Sequence, residues 1–189
     1  MLEEAISALS GWKNSELSGL SVSVNLSAVQ ARDRNLAPMI ASLLSRYKVD
    51  GSSLEIELTE RVLMTETDEH LALLTRLRDW GIEIALDDFG TGYSSMKQLR
   101  LFPISTLKVD KSFVDGLGVN HSDESIVEAT VQLAKSLGLN SVAEGVETEV
   151  QMDYLNRLGC SEAQGYLYSR PVEKVVFEEL MLQQLSQNQ

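Results

Sequence analysis

The chain has a single cysteine, Cys160, and only three prolines among its 189 residues. One cysteine cannot form a disulfide within the chain, so a reducing compartment is favoured and we expect a cytoplasmic location. No uninterrupted apolar run approaches the roughly 20 residues that cross a bilayer, and the first residues lack the basic and apolar segments of a secretory signal. The composition therefore predicts a globular domain that makes no membrane contact.

Basic residues are also scarce, with 16 against 28 acidic residues and a formal net charge of -12. Nucleic acid polymers owe most of their affinity for proteins to Lys and Arg that neutralise phosphates, so we do not expect such a partner. A small phosphate ligand is not excluded, because clustered carboxylates bind cations that in turn hold a phosphate. We expect most of the acidic side chains to lie at the solvated surface.

Strand-like apolar segments alternate with amphipathic helix-like segments along the chain. The predicted strands are Leu20–Leu26, Leu54–Leu58, Ile82–Leu86, Thr106–Val109, Asn140–Ala143 and Glu162–Leu167. An apolar stripe with helical spacing runs from Ile126 to Leu137, and Thr148 with Gln151 forms a capping box that opens the next helix. Strands and helices in alternation predict a mainly parallel sheet.

Polar residues lie at or just beyond the carboxyl end of every predicted strand. They are Asn25, Glu57, Glu60, Asp87, Asp88, Lys108, Asp110, Glu144 and Gln164. Parallel strands bring their carboxyl ends to one face, and a site built from all strand ends is typical of a (β/α) barrel. An open doubly wound sheet has its site at one switch point instead. We therefore predict an α/β fold of the TIM-like (β/α) barrel type.

The adjacent pair Asp87 and Asp88 is the most informative segment. Two neighbouring carboxylates at a strand end repel each other when both are ionised, and a bound divalent cation removes that repulsion. Gly90 and Gly92 allow the following loop to adopt unusual backbone angles. A purely structural interpretation, in which one aspartate caps a helix that begins near Ser94, is disfavoured because further oxygen donors are expected at the same mouth.

Three of these donors are Asn25, Glu57 and Glu144. Strand alternation places Glu57 on the same face as Glu55, so Glu57 is oriented for the mouth unless it turns to solvent. Asn25 offers a carbonyl oxygen, although alone it is more often a turn residue. An all-oxygen donor set, with both histidines in predicted helix or loop segments, favours Mg²⁺ or Mn²⁺ over zinc.

Lys108 is predicted to lie among these carboxylates. In phosphodiester hydrolysis such a lysine orients the attacking water or stabilises the developing negative charge. The structural alternative is a buried ion pair with Asp110. Glu60 lies beyond its strand and is expected to brace the glycine-rich loop. Cys160 is interpreted as a small core residue, since no histidine is paired with it.

Six motifs occur in order along the chain. They are Val24-Asn25-Leu26-Ser27-Ala28, Glu57-Leu58-Thr59-Glu60, Asp87-Asp88-Phe89-Gly90-Thr91-Gly92-Tyr93-Ser94-Ser95, Leu107-Lys108-Val109-Asp110, Ala143-Glu144-Gly145-Val146-Glu147-Thr148 and Gln164-Gly165-Tyr166. Together they resemble the EAL domain family, bacterial phosphodiesterases that linearise cyclic di-GMP. The resemblance covers nearly the whole chain, and the order of all six motifs makes it specific.

The resemblance implies a ligand set and a reaction. The residues that match the family's metal ligands are Asn25, Glu57, Asp87, Asp88 and Glu144, with Asp87 bridging two Mg²⁺ or Mn²⁺ ions. The implied catalytic residues are Lys108, Glu144, Asp87 and Asp88. The implied reaction is hydrolysis of cyclic di-GMP to linear pGpG by a metal-activated water.

The resemblance also implies supporting roles. Asp110 and Gln164 match polar residues that bind the substrate. Glu60 and Glu147 match residues that support the loop Phe89–Ser95, which in the family connects catalysis to dimerisation.

The sequence departs from the family pattern at its start. The Glu-Ala-Leu signature is absent, and Glu3–Trp12 is predicted to be helical, so the first two of eight barrel strands are apparently missing. Residues 1–189 are therefore expected to be an N-terminally truncated EAL-type domain with weak or no activity on its own. Its unpaired strand edges predict a homodimer or larger assembly. A catalytically inactive cyclic di-GMP-binding or protein-interaction module is the alternative, and an unrelated metal-dependent barrel lyase is a more remote one.

Overall fold

The computed structural model describes residues 1–60, 62, 68–92 and 96–187. Its strands are β1 Val22–Leu26, β2 Leu54–Thr59, β3 Glu83–Phe89, β4 Thr106–Val109, β5 Asn140–Glu144 and β6 Glu162–Gln164. Its α-helices are α1 Leu2–Trp12, α2 Leu36–Tyr47, α3 Asp68–Asp79, α4 Met96–Leu101, α5 Lys111–Val114, α6 His121–Leu137, α7 Glu149–Leu158 and α8 Lys174–Gln187. Short 3-10 helices lie at Gln30–Arg32 and Gly51–Ser53.

The strands form one six-stranded sheet in the order β1-β2-β3-β4-β5-β6. Every neighbouring pair is parallel. A doubly wound sheet reverses its strand order at a switch point, whereas this order follows the chain, as in a barrel. The predicted TIM-like barrel is confirmed, and the six strands form part of such a barrel.

The two faces of the sheet differ in polarity because side chains alternate along each strand. On the outer face, Ile56, Leu86 and Leu107 belong to a buried apolar cluster that also contains Ile40 of α2 and Leu77 of α3. A second cluster joins strands β4 and β5 to helices α6 and α7. The helices thus cover one face, and the other face is left for polar side chains.

The ends of the chain are connected through helix packing. Trp12 at the end of α1 stacks on Phe177 of α8 with ring centroids 5.7 Å apart, and its Nε1 donates a hydrogen bond of 2.6 Å to Glu178. Because α1 packs on β1 and α8 follows β6, this contact brings the two edges of the sheet towards each other.

Each predicted strand overlaps an observed one, and the ends that differ by more than one residue are those of the first, third and last strands. The third strand, predicted as Ile82–Leu86, runs from Glu83 to Phe89, because its pairing with β4 continues past an irregularity to Phe89 opposite Val109. The first begins at Val22 rather than Leu20, because the amide of Leu20 is hydrogen-bonded in a turn to Leu17. The last ends at Gln164, because the chain turns at Gly165, whose carbonyl accepts from Tyr168. The capping box of Thr148 and Gln151 is present at α7. Among the described residues, no helix is both long and apolar enough to cross a membrane.

Candidate metal centre

Asp87 and Asp88 lie at the carboxyl end of β3, where the pairing with β4 is irregular between Leu86 and Phe89. Neighbouring side chains on a regular strand point to opposite faces. Here the irregularity and a left-handed backbone at Asp88, with φ of 55°, change that geometry. Both carboxylates therefore reach the same side of the sheet.

Glu144, the last residue of β5, completes a group of three carboxylates with Asp87 and Asp88. One oxygen from each of these residues lies within 4.8 Å of the others, and all three side chains are partly buried. This spacing allows one divalent cation to contact all three residues. The donors are all carboxylate oxygens, which suit Mg²⁺, Mn²⁺ or Ca²⁺.

Lys108 of β4 lies beside this group with a side chain that is only 4% exposed. Its Nζ is 2.7 Å from Glu57, 2.5 Å from Glu144 and 3.6 Å from Asp87. Lys108 thus pairs with three candidate ligands, and the expected alternative partner, Asp110, caps α5 instead. A single buried ammonium joins the ends of β2, β3 and β5.

The charges of the site perturb its protonation. Burial by itself lowers the pKa of Lys108, but hydrogen bonds to Glu144 and Glu57 outweigh it and hold the pKa above its ordinary value of 10.5. Burial raises the pKa of Asp88, as do the charges of Asp87 and Asp110. Burial likewise raises the pKa of Glu144, against the lowering effect of Lys108. The site therefore has more negative charge than its one lysine balances, which favours a bound cation.

Asp110 lies at the start of α5, next to the carboxylate group. Its side chain accepts hydrogen bonds from the backbone amide and the hydroxyl of Ser112, and its negative charge adds to the effects of burial and of Asp87 on the pKa of Asp88. Although burial alone raises it, these hydrogen bonds from Ser112 hold the pKa of Asp110 below its ordinary value. Asp110 is therefore an ionised acceptor beside Asp88.

Asn25 and Gln164 lie on the two edge strands. In the register of the sheet, Asn25 of β1 is opposite Glu57 of β2, and Gln164 of β6 is opposite Glu144 of β5. Both side chains are exposed. They lie on the strands at the two edges of the sheet, one on each side of the strands that carry the carboxylate group.

Glu60 and Glu147 have different surroundings. Glu60 is 4% exposed, and one of its carboxylate oxygens accepts a hydrogen bond of 3.2 Å from the amide of Gly92. Glu147 is exposed and forms an ion pair of 2.6 Å with Lys111. Residues 93–95 of the expected supported loop lie outside the described residues, as does the start of the helix expected near Ser94. Support of this loop by Glu147 stays a prediction, because the described contact of Glu147 is with Lys111.

Two sets of contacts at the site, those of Glu55 and of Lys111, were not predicted from the sequence. Glu55 lies below Glu57 on the inner face and accepts hydrogen bonds of 2.6 Å from Ser23 and 3.2 Å from Thr106. The alternation that pairs Glu55 with Glu57 was the available signal. Lys111 lies against the loop after β5, and its place after Asp110 gave no indication of this contact.

The two histidines and the cysteine are not part of the carboxylate group of Asp87, Asp88 and Glu144. His121 is exposed and contacts Glu124, and His70 is buried in α3. Cys160 packs against the second apolar cluster, with its sulfur near the carbonyl of Glu162. Among the described residues, the possible metal-binding group contains carboxylates only.

Comparison with known proteins identifies a matching family model and a similar sequence. The chain matches the model of the EAL domain over residues 1–171. It is 40% identical over 172 residues to the bifunctional diguanylate cyclase/cyclic di-GMP phosphodiesterase MucR of Pseudomonas aeruginosa. That match covers 91% of this chain and 25% of MucR, so the chain spans about a quarter of this relative.

Solved structures share the fold. A PaMucR phosphodiesterase in complex with c-di-GMP has a TM-score of 0.89 and 39% identity, covering 93% of this chain and 71% of that chain. Klebsiella pneumoniae BlrP1 in complex with manganese and cyclic di-GMP has a TM-score of 0.79 and 31% identity, covering 90% of this chain and 44% of that chain.

Proposed function

The chain belongs to the EAL domain family, and from this premise we propose that its carboxylate group is a two-metal centre for hydrolysis of cyclic di-GMP to linear pGpG. The observation that carries the proposal is the meeting of Asp87, Asp88 and Glu144 within 4.8 Å, beside the buried Lys108. The relatives named for cyclic di-GMP phosphodiesterase activity, or solved with this nucleotide, support the choice of substrate.

The residues present fit a divalent metal. Asp87, Asp88 and Glu144 would hold it, with Glu57 and Asn25 on neighbouring strands as further oxygen donors. When bound, such an ion lowers the pKa of a water molecule and neutralises charge on the phosphodiester. We choose Mg²⁺ or Mn²⁺ because the donors are hard oxygens, and the manganese complex of BlrP1 agrees with this choice.

Lys108 supplies a fixed positive charge. In the metal-free chain the pKa of Lys108 lies above its ordinary value, so the ammonium keeps its proton at neutral pH. We propose that it stabilises negative charge that develops on the phosphate oxygens and that it orients Glu57 and Glu144 through short ion pairs. We propose that Asp110, beside Asp88, and Gln164, opposite Glu144, bind polar groups of the nucleotide.

Substrate turnover by this chain alone is proposed to be weak. The six strands among the described residues form only part of a barrel, and we propose that the mouth of this chain by itself lacks part of its wall. Strands β1 and β6 each have one edge without a strand partner among the described residues, and we propose that a second copy or further chain covers these edges. The single cysteine remains the reason for proposing the cytoplasm.

The test is incubation of the purified chain with cyclic di-GMP and Mn²⁺ or Mg²⁺, with the product identified by mass. Asp87→Asn is the loss-of-function variant. Asp153→Asn is the matched control, because Asp153 is an exposed carboxylate of α7. Linear pGpG formed by the chain and the control but not by Asp87→Asn supports the proposal. Nucleotide binding without product is expected of a catalytically inactive binding module, and also of the enzyme if product appears once further strands complete the barrel. The absence of binding contradicts both.

A further inference from the structure

The one-turn helix α5 lies between the two loops that follow the strands of the candidate ligands. On one side, the ring of Phe113 approaches Gly90 after β3, so that a Cβ placed on Gly90 would be 3.3 Å from it. On the other side, Lys111 lies against Gly145, the residue directly after Glu144. Helix α5 therefore touches the loop that follows Asp87 and Asp88 and the loop that follows Glu144.

The contact between Lys111 and Gly145 is unusually close. Gly145 has a φ of 70°, and a Cβ at this position would lie 2.3 Å from Cγ and 2.6 Å from Cδ of Lys111. The methylene chain of Lys111 thus occupies the space that a side chain at position 145 would need. Burial of the stem with an exposed head is common for lysine, and here the stem packs directly on the loop backbone.

The ammonium of Lys111 holds the same loop two residues later. Its Nζ is 2.6 Å from Glu147 and 3.1 Å from Asp115 on its own helix. These hydrogen bonds, first to Glu147 and then to Asp115, raise the pKa of Lys111. The side chain is 48% exposed, so the ion pair itself adds little stability, and its effect is on geometry.

The other side of the loop is already fixed. The amide of Val146 donates to the carbonyl of Gln164 at 3.0 Å, and the amide of Glu147 donates to Gln151 at 2.8 Å. From the side of α5, Lys111 contacts the loop directly, and Gln151 connects the loop to α5 by donating to the carbonyl of Val114 at 3.1 Å. The loop is therefore held between β6, α7 and Lys111, with Glu144 at its start.

We propose that Lys111 is a positioning residue for Glu144, because its stem and ammonium together fix the loop Gly145–Glu147 relative to the carboxylates of Asp87 and Asp88. The consequence for metal binding by Glu144 rests on the proposed function. The hold of Lys111 on the loop Gly145–Glu147, which we call the clamp, does not depend on it. Lys111 does not itself touch the reacting atoms.

Hydrogen exchange of the metal-free chain tests the clamp directly. We compare the Val146 amide in Lys111→Ala, which loses stem and charge, in Lys111→Met, which keeps most of the stem, and in Lys111→Arg, which keeps both. Lys135→Met, at an exposed lysine of α6, is the control for loss of one charge. We expect exchange at least about fivefold faster in Lys111→Ala, a smaller increase in Lys111→Met, and no change in Lys111→Arg or the control. Equal exchange in Lys111→Ala and the original chain would overturn the proposal.

Mn²⁺ titration followed by electron paramagnetic resonance tests the consequence for the site. Removing a positive charge from an acidic protein by itself strengthens cation binding, as expected for Lys135→Met. Loss of a positioning residue acts in the opposite direction, so Lys111→Ala is expected to bind Mn²⁺ about 10-fold more weakly. Binding as tight as in the control would overturn the effect on Glu144. If the original chain binds no Mn²⁺, the proposed function fails. Hydrogen exchange of the Val146 amide then decides by itself whether Lys111 holds the loop.

Discussion

Replacing Lys108 by methionine should strongly destabilise the metal-free chain. Lys108 and Glu57 are only 4% and 8% exposed, and Glu144 and Asp87 are 21% and 14% exposed. Methionine keeps the length of the side chain but removes the one cation shared by these three carboxylates. The cost of the variant is thus electrostatic rather than a cavity.

The magnitude follows from the burial of the group. Removing one partner of a buried ion pair costs about 3–5 kcal/mol, and the partial exposure of two carboxylates favours the lower end. For a chain of this size, 1 kcal/mol corresponds to about 2–4 °C in Tm, so a loss of roughly 6–12 °C is expected in the presence of EDTA. A divalent cation replaces the missing charge, and at 100 times its Kd it restores about 2.7 kcal/mol.

The assay is thermal unfolding followed by circular dichroism, with EDTA and then with Mg²⁺ or Mn²⁺. The original chain and Lys135→Met serve as references, because the latter loses one exposed positive charge. A Tm for Lys108→Met within a degree or so of the reference in EDTA would refute the role of Lys108 in balancing the carboxylates. An equal response of variant and reference to the cation would refute the account of where the cation binds.

Three further predictions concern the same region. Asp88→Asn should stabilise the metal-free chain at neutral pH by up to about 1 kcal/mol, because burial and the charges of Asp87 and Asp110 disfavour the ionised form of Asp88. Asparagine also accepts the positive φ of this position. A lower Tm for the variant in EDTA would contradict this. Gly145→Ala should lower the free energy of unfolding in urea by about 1–3 kcal/mol. The control is Gly159→Ala, which should cost less, because Gly159 has a similar φ of 75° but no atom within 4 Å of its Cβ position. Equal losses would count against the contact with Lys111. The stability difference between Lys108→Met and the original chain should stay constant from about pH 7 to about pH 9. The raised pKa of Lys108 keeps the ammonium charged, and its contribution to stability intact, until the pH exceeds the ordinary value of 10.5. A decline within that range would show that Lys108 titrates earlier.

Much of the architecture could be predicted because it depends on local patterns. Strand composition and the polar residue after each strand predicted a parallel barrel with its site at the carboxyl ends. Alternation correctly placed Glu55 and Glu57 on one face, as the contact of Glu57 with Lys108 shows. The short sixth strand was less predictable, since its end depends on the close approach of Gly165 to the backbone of Val146.

The details of the candidate site depend on contacts between distant segments. A regular strand would separate Asp87 from Asp88, and only the irregular pairing with β4 and the left-handed Asp88 bring both to one side. Lys108 contacts Glu57 of β2 and Glu144 of β5 rather than Asp110, and this choice depends on the arrangement of strands that are distant in the sequence. Likewise, the contact of Lys111 with the loop after β5 joins segments more than 30 residues apart, for which a single sequence gives no signal.

The central claim is that Asp87, Asp88 and Glu144 form a divalent metal centre, and the most direct measurement is a Mn²⁺ titration of the chain and of Asp87→Asn. Calorimetry at neutral pH in the presence of cyclic di-GMP gives the affinity and the number of ions bound. The account predicts two ions per chain for the original sequence and a loss of at least about 10-fold in affinity for Asp87→Asn. Equal affinity in both, or no binding above that of an exposed carboxylate, would contradict it.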